Sequence, residues 1–113
     1  CPNAKLFSIA LRKADELELK HSAGMVFSSD YFSSYNALGA DEWKSWARVG
    51  ALVQDMETYA LYSTAMYLKK RALSILTMTD NCVNGKSFKD EERMEGNRNM
   101  IKLALETIVE DAK

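Results

Sequence analysis

The chain contains a single histidine, His21, and only two cysteines, Cys1 and Cys82, among its 113 residues. One histidine argues against a metal cluster built on imidazole ligands. The two cysteines have neither a close mate nor the spacing of a zinc site, so they predict two reduced thiols rather than a disulfide. We therefore expect no metal centre.

Long apolar runs are also missing. None approaches the roughly 20 residues that a membrane-spanning helix needs, and the N-terminal residues lack the charged and then apolar pattern of a signal peptide. The expected location is therefore the cytoplasm. With 15 basic and 16 acidic residues the net charge is −1, and the basic residues are scattered. This pattern predicts neither a nucleic-acid partner nor a membrane partner.

Glycine-rich phosphate loops are absent as well. The sequence has no GxGxxG or GxxxxGK motif, and no serine in a nucleophile elbow. Any phosphate would therefore have to be bound by another device.

Along the chain, stretches with the hydrophobic spacing of helices alternate with short stretches typical of strands. Hydrophobic spacing predicts helices in residues 3–20, 41–49, 55–71 and 90–109. Short apolar or β-branched runs predict strands in residues 22–28, 51–54 and 72–79. A polar loop, residues 28–34, follows the first of these strands. This alternation predicts one α/β domain over residues 1–113, with the strand at 72–79 buried and parallel.

The acidic residues Asp55 and Glu57, and Asp80 farther along, suggest one carboxylate-rich cleft. Asp80 follows the predicted strand at 72–79 directly, and open α/β sheets bind ligands at the carboxyl ends of their strands. Two plainer interpretations stay open. Asp80 is also a common turn residue, and Glu57 also suits the first turn of a helix, where acids are favoured electrostatically.

Three stretches, residues 53–62, 70–80 and 99–106, together with the Glu92-Arg93 pair, resemble the C-terminal half of the bacterial-type hexameric purine nucleoside phosphorylases. The resemblance implies the C-terminal portion of a three-layer α/β/α sandwich with a mostly parallel or mixed sheet. It also implies phosphorolysis of purine nucleosides, with inorganic phosphate as co-substrate and no cofactor. The family's N-terminal half, which holds phosphate, would be a missing partner, and the assembly would be a homo-oligomer, a hexamer in the family.

The resemblance also assigns roles to individual residues. Glu57 would accept hydrogen bonds from the ribose hydroxyls, with Met56 packed on the sugar. Asp80, when protonated, would donate to purine N7 as the base leaves, which requires a raised pKa. Arg93 would swing toward Asp80 as the site closes, and Phe32 would stack on the base.

Some positions depart from the family pattern. Asp55, expected to bind substrate, stands where a second glutamate is usual. Thr79 replaces a serine beside the acid, and Asn81 replaces a histidine. Bulky Tyr59 follows where small residues are usual. The preference between 6-oxo and 6-amino purines is therefore left open by the sequence.

Other interpretations remain. A related nucleosidase would use water in place of phosphate, and a non-catalytic subunit would keep the nucleoside contacts without turnover. By default Arg93 would be a surface charge, and Phe32 would belong to the core or to a subunit contact, as we expect for Trp43 and Trp46.

Overall fold

The computed structural model describes residues 1–113, apart from the side chain of Ala40. The helices are α1 (Ala4–Glu16), α2 (Trp43–Arg48), α3 (Thr58–Tyr67) and α4 (Asp90–Asp111), and the strands are β1 (Met25–Ser28) and β2 (Ala51–Asp55). Two short 3-10 turns lie at Ser33–Tyr35 and Gly39–Asp41. None of the described helices is both long and apolar enough to cross a membrane.

The chain forms two compact units. The first, the helical unit, combines Cys1–Ser22 with Arg71–Lys113, and the second, the strand unit, is Ala23–Lys70. A single domain over the whole chain stays a prediction.

The helical unit is built on the packing of α1 against α4. Asn3 caps α1, because its side chain accepts a hydrogen bond from the N–H of Leu6 at 3.1 Å. The buried apolar residues are Ile9, Ala10, Ala14 and Leu103. Both helices were predicted from their periodicity, and the structure confirms them, although α1 ends at Glu16, four residues earlier than expected, and α4 is two residues longer.

Asp111 joins the ends of this helix pair. Its carboxylate accepts two hydrogen bonds from the Arg71 guanidinium, both 2.7 Å long, and Lys5 Nζ lies 3.3 Å away. The hydrogen bonds from Arg71 lower the pKa of Asp111 from 3.8 to about 2, although desolvation opposes the shift. Asp111 therefore remains ionised in the folded chain at pH values where it is already protonated in the unfolded chain.

This difference in pKa predicts an acid-dependent loss of stability. Because the folded-state pKa is depressed, Asp111 stabilises the fold above the unfolded pKa near 3.8, and its contribution disappears as the pH falls through about 2. We expect Asp111→Asn to lower the urea midpoint much more at pH 7 than at pH 2, where about half of the Asp111 carboxylates in the folded chain are already protonated. Asp41→Asn, at an exposed position of the strand unit, is the control. An Asp111→Asn deficit of equal size at both pH values would contradict this explanation.

The strand unit contains a two-stranded parallel sheet. β1 pairs with β2 from Met25↔Ala51 to Ser28↔Asp55, with one register irregularity after Met25. Gly50 adopts a φ of 97° between α2 and β2, a conformation that favours glycine. Phe27 stacks on Trp46 with 4.1 Å between ring centroids, which places this tryptophan in a packing contact. A mixed α/β fold with a parallel sheet is thus confirmed.

The predicted strand at 72–79 is wrong. The structure has no strand in that range, and Asp80 forms only an isolated antiparallel bridge with Ser87. A strand needs a hydrogen-bonded neighbour, and the described part of the helical unit contains no strand to pair with it. The segment lies against α4 instead, where Thr77 Oγ1 donates to the carbonyl of Gly96 at 3.1 Å.

The helix predicted over 55–71 is shorter at both ends. It begins at Thr58, with Glu57 at the position before the helix. The Asp55 side chain, three residues before Thr58, accepts the N–H of Thr58 at 3.4 Å. It ends at Tyr67, and Lys69 adopts a φ of 54°, outside the helical region. The order of elements is therefore α-β-α-β-α-α.

At Gly96, α4 comes close to the segment before Asp80. A Cβ there would lie 2.6 Å from Thr77 Cγ2, and the Thr77 rotamer is fixed by its hydrogen bond to Gly96. We expect Gly96→Ala to destabilise the fold by about 1–3 kcal/mol, even though alanine is favoured over glycine in helices by about 1 kcal/mol. Combining it with Thr77→Ser, which removes the methyl group, restores most of the loss in urea unfolding. A Gly96→Ala chain more stable than the parent would refute the close approach.

Candidate functional site

Asp80 lies at the start of a tight hairpin in the helical unit. The N–H of Asn81 donates to Lys86 O at 2.8 Å, and the N–H of Phe88 donates to Thr79 O at 2.8 Å. Asn81 holds the turn, since its Oδ1 accepts the N–H of Val83 at 2.9 Å. The hairpin therefore holds Asp80 without a strand before it, in agreement with the plainer interpretation of Asp80 as a turn residue.

Arg93 faces Asp80 from the first turns of α4. Its guanidinium lies 3.6 Å from Asp80 Oδ1, an ion pair with both side chains substantially exposed. The Nε of Arg93 is buried and has no acceptor among the described residues. A buried donor without a partner is costly. The Nε–H of Arg93 is therefore a donor that an additional acceptor would satisfy.

Hydrogen bonds to Asp80 lower its pKa. The Ser87 side chain is the largest cause, Thr79 Oγ1 donates to Oδ2 at 3.0 Å, and Arg93 adds an attractive charge. This direction is opposite to the raised pKa that the proton-donor role requires. In the unliganded chain Asp80 is therefore a carboxylate at neutral pH.

A cavity of about 160 Å³ lies beside this carboxylate, lined by Met78, Thr79, Asp80, Asn81, Asn84, Lys86 and Phe88. Ligand pockets usually have volumes of about 300–1,000 Å³. The cavity is therefore large enough for part of a ligand only. Lys86 in its wall was missed by the sequence analysis, because an isolated lysine in a polar loop carries no local signal.

Asp55 lies at the end of β2 in the strand unit. Ser28 Oγ donates to Asp55 Oδ1 at 2.6 Å, and Thr58 Oγ1 donates to Oδ2. Desolvation raises the pKa of Asp55, but the hydrogen bonds from Ser28 and Thr58 outweigh it, so the net shift is downward. Both oxygens of this predicted substrate ligand are thus engaged within the chain.

Met56 and Glu57 occupy the short turn between β2 and α3. Both side chains are exposed, and Glu57 Oε2 accepts the N–H of Met56 at 3.2 Å. The backbone carbonyl of Glu57 already accepts from Leu61, at 2.9 Å, as part of the helix. The Glu57 carboxylate and the Met56 side chain are therefore both accessible to a ligand at this turn.

Phe32 lies in the loop after β1 and is 61% exposed, with its ring edge-on to Tyr35. The neighbouring Tyr31 hydroxyl donates to Glu42 Oε1 at 2.9 Å and accepts from Asn36 Nδ2 at 2.8 Å. Glu42 is only 4% exposed, and its Oε2 has no partner among the described residues. Phe32 thus presents its ring to solvent from a loop that its neighbours hold in place.

The predicted site residues therefore fall into two groups. Thr79, Asp80 and Arg93 come together in the helical unit. Asp55, Met56, Glu57 and Phe32 belong to the strand unit, where the first three are consecutive. Ser28 was missed as a member of the second group, although its place at the end of a strand could have suggested it.

The family model that matches this chain and three of its relatives are all named as phosphorylases. A family model described as the phosphorylase superfamily matches residues 2–110. A purine nucleoside phosphorylase DeoD-type from Thermoanaerobacter sp. (strain X514) is 41% identical over 102 residues, which cover 90% of this chain and 42% of the relative. The protein of the same name from Geobacillus sp. (strain WCH70) is 40% identical over 94 residues, covering 83% and 38%. That from Bacillus velezensis (strain DSM 23117 / BGSC 10A6 / LMG 26770 / FZB42) is 37% identical over 108 residues, covering 96% and 45%.

The chain thus spans less than half the length of these relatives. The matched part includes both groups of predicted site residues.

Proposed function

Because this chain belongs to the phosphorylase superfamily, we propose that it is the C-terminal portion of a purine nucleoside phosphorylase and supplies the base and ribose contacts. The reaction is phosphorolysis: phosphate attacks the anomeric carbon while the bond to the purine breaks, giving free purine and ribose 1-phosphate. The observation that carries the proposal is the pairing of Asp80 with Arg93, within a segment similar to proteins named purine nucleoside phosphorylase.

On the base side, Asp80 donates a proton to purine N7 as the bonding electrons move onto the base. The exposed Asp80 side chain is covered when a purine binds, and this desolvation raises its pKa toward the protonated form. Arg93 then stabilises the carboxylate that remains after proton transfer. Thr79, which already donates to Oδ2, orients the carboxyl group.

On the sugar side, Glu57 accepts hydrogen bonds from the ribose hydroxyls, and Met56 packs on the sugar face. A carboxylate accepts two such bonds from a vicinal diol without rearrangement. Phe32, whose ring is largely exposed, stacks on the purine. These contacts hold the nucleoside while the bond to the base breaks.

The rest of the enzyme supplies what this chain lacks. The phosphate site belongs to the remaining N-terminal portion, which also completes a three-layer α/β/α sandwich, and the enzyme acts as a cytoplasmic homo-oligomer, a hexamer by resemblance. The exposed apolar side chains of α4, Ile101, Leu105 and Ile108, suit coverage by such a partner. We use "assembled enzyme" for this chain together with that remainder.

The test combines mass and activity. The native protein is weighed by denaturing and native mass spectrometry, and the same sample is assayed for release of hypoxanthine from inosine with and without phosphate. A companion portion with phosphate-dependent release supports the proposal. Release that does not depend on phosphate would identify a nucleosidase instead, and an assembled enzyme inert under both conditions would reject catalysis.

A further inference from the structure

A continuous set of hydrogen bonds joins β1, β2 and α3 in the strand unit. Ser28 Oγ donates to Asp55 Oδ1 at 2.6 Å and accepts the N–H of Tyr59 at 3.0 Å. Asp55 Oδ2 accepts from the Thr58 hydroxyl, and Oδ1 also receives the N–H of Thr58 at 3.4 Å. We call this set the Ser28–Asp55 clamp; it comprises Ser28, Asp55, Thr58 and the N–H of Tyr59.

The clamp satisfies backbone donors that a helix leaves unpaired. The first N–H groups of a helix have no acceptor within it, and here the N–H groups of Thr58 and Tyr59 receive side-chain acceptors instead. Thr58 is only 6% exposed, so its hydroxyl is held inside the unit. The start of α3 is therefore anchored to the ends of both strands.

Only two residues separate the anchored positions. Met56 and Glu57 lie between Asp55 and Thr58. Asp55 is also held through its backbone carbonyl, which accepts the N–H of Ser29 at 3.0 Å. A turn held on both sides by hydrogen bonds has a fixed backbone path. The backbone position from which the Glu57 side chain extends is thus set by Ser28, Asp55 and Thr58.

We propose that Ser28 and Asp55 are positioning residues, which hold the Glu57 carboxylate at the distance from the sugar that two hydrogen bonds to the ribose diol require. Asp55 was predicted to bind substrate directly, and the geometry gives it this indirect role instead. The inference rests on the proposed function, because it needs Glu57 to be the ribose ligand. A negative charge at the start of α3 is also favoured by the helix dipole.

The experiment compares Ser28→Ala with Ser28→Thr and Ser45→Ala in the assembled enzyme. Alanine removes both the donor and the acceptor at position 28, whereas threonine keeps them. Ser45 is exposed on α2 and is the matched control. Two measurements are made: hydrogen exchange at the N–H groups of Thr58 and Tyr59, and kcat/KM for inosine and for 2′,3′-dideoxyinosine, which lacks the diol.

We expect faster exchange at Tyr59 in Ser28→Ala, and a preference for inosine over the dideoxy nucleoside that falls roughly tenfold. Asp55→Asn, which removes the charged acceptor, changes the preference in the same direction. Ser28→Thr restores both quantities, and Ser45→Ala leaves them unchanged. A general loss of structure would lower activity on both nucleosides equally, so the ratio separates positioning from folding.

Two results overturn the inference in distinguishable ways. If the parent enzyme is active on inosine and Ser28→Ala leaves the preference intact, the positioning role is rejected and the proposed function stands. If the parent enzyme shows no phosphate-dependent activity, the proposed function fails and the positioning role fails with it.

Discussion

Asp80→Asn in the assembled enzyme is expected to lower kcat for phosphorolysis of inosine by about a hundredfold or more, with a much smaller change in KM. Asparagine keeps the size of the side chain but cannot hand a proton to N7 as charge develops on the leaving base. The interaction is made mainly in the transition state, so its loss appears in kcat rather than in nucleoside binding. Steady-state kinetics at saturating phosphate measure both constants.

Two comparisons sharpen this test. A nucleoside methylated at N7 carries a cationic base that needs no proton, so Asp80→Asn should cleave it nearly as well as the parent enzyme does. Asp90 is an exposed residue at the start of α4, and Asp90→Asn should leave the kinetic constants for both substrates unchanged. Equal losses in kcat and in nucleoside affinity, or an equal loss on the methylated substrate, would reject the acid role of Asp80.

Glu57→Ala is expected to lower kcat/KM for inosine by roughly a hundredfold, because two charge-assisted hydrogen bonds to the ribose are lost together. Unlike Asp80, Glu57 contacts a part of the substrate that keeps its hydroxyls throughout the reaction. Nucleoside binding and turnover should therefore both weaken. Isothermal titration calorimetry measures the binding, and steady-state assays measure the turnover.

The control for Glu57 is Glu106→Ala, which removes an exposed glutamate from α4. It should leave affinity and turnover at the parent values. An affinity of Glu57→Ala for inosine equal to that of the parent enzyme would rule out this residue as the ribose ligand.

The sequence predicted the elements whose signals are local. Helix α1 has an asparagine cap and a regular apolar face, and α4 begins with three acidic residues that suit the helix dipole. The segment at 72–79 failed because a short apolar run indicates burial but not a partner. Strand pairing requires a second segment beside the first, and the described helical unit provides no strand there.

The same distinction between local and long-range signals applies to the site. The pairing of Asp80 with Arg93 follows the spacing that the family resemblance implied, and the structure places the two charges 3.6 Å apart. The hydrogen bond between Ser28 and Asp55 could not be predicted from the sequence, since the two residues lie 27 positions apart and their contact depends on the register of β1 and β2. The turn at Asp80 was one of the interpretations that the sequence left open, but the hydrogen bonds from Ser87 and Thr79 that lower the pKa of Asp80 in the unliganded chain depend on how that turn folds.

The helical unit is discontinuous along the chain, with the whole strand unit inserted between its two segments. Its main packing, α1 against α4, joins residues at opposite ends of the sequence, so the loop to be closed is long and the contact order is high. During synthesis from the N-terminus, α1 leaves the ribosome well before the helix that covers its apolar face. The strand unit is complete earlier, so we expect it to gain order first, while α1 depends on chaperones or transient contacts until α4 emerges.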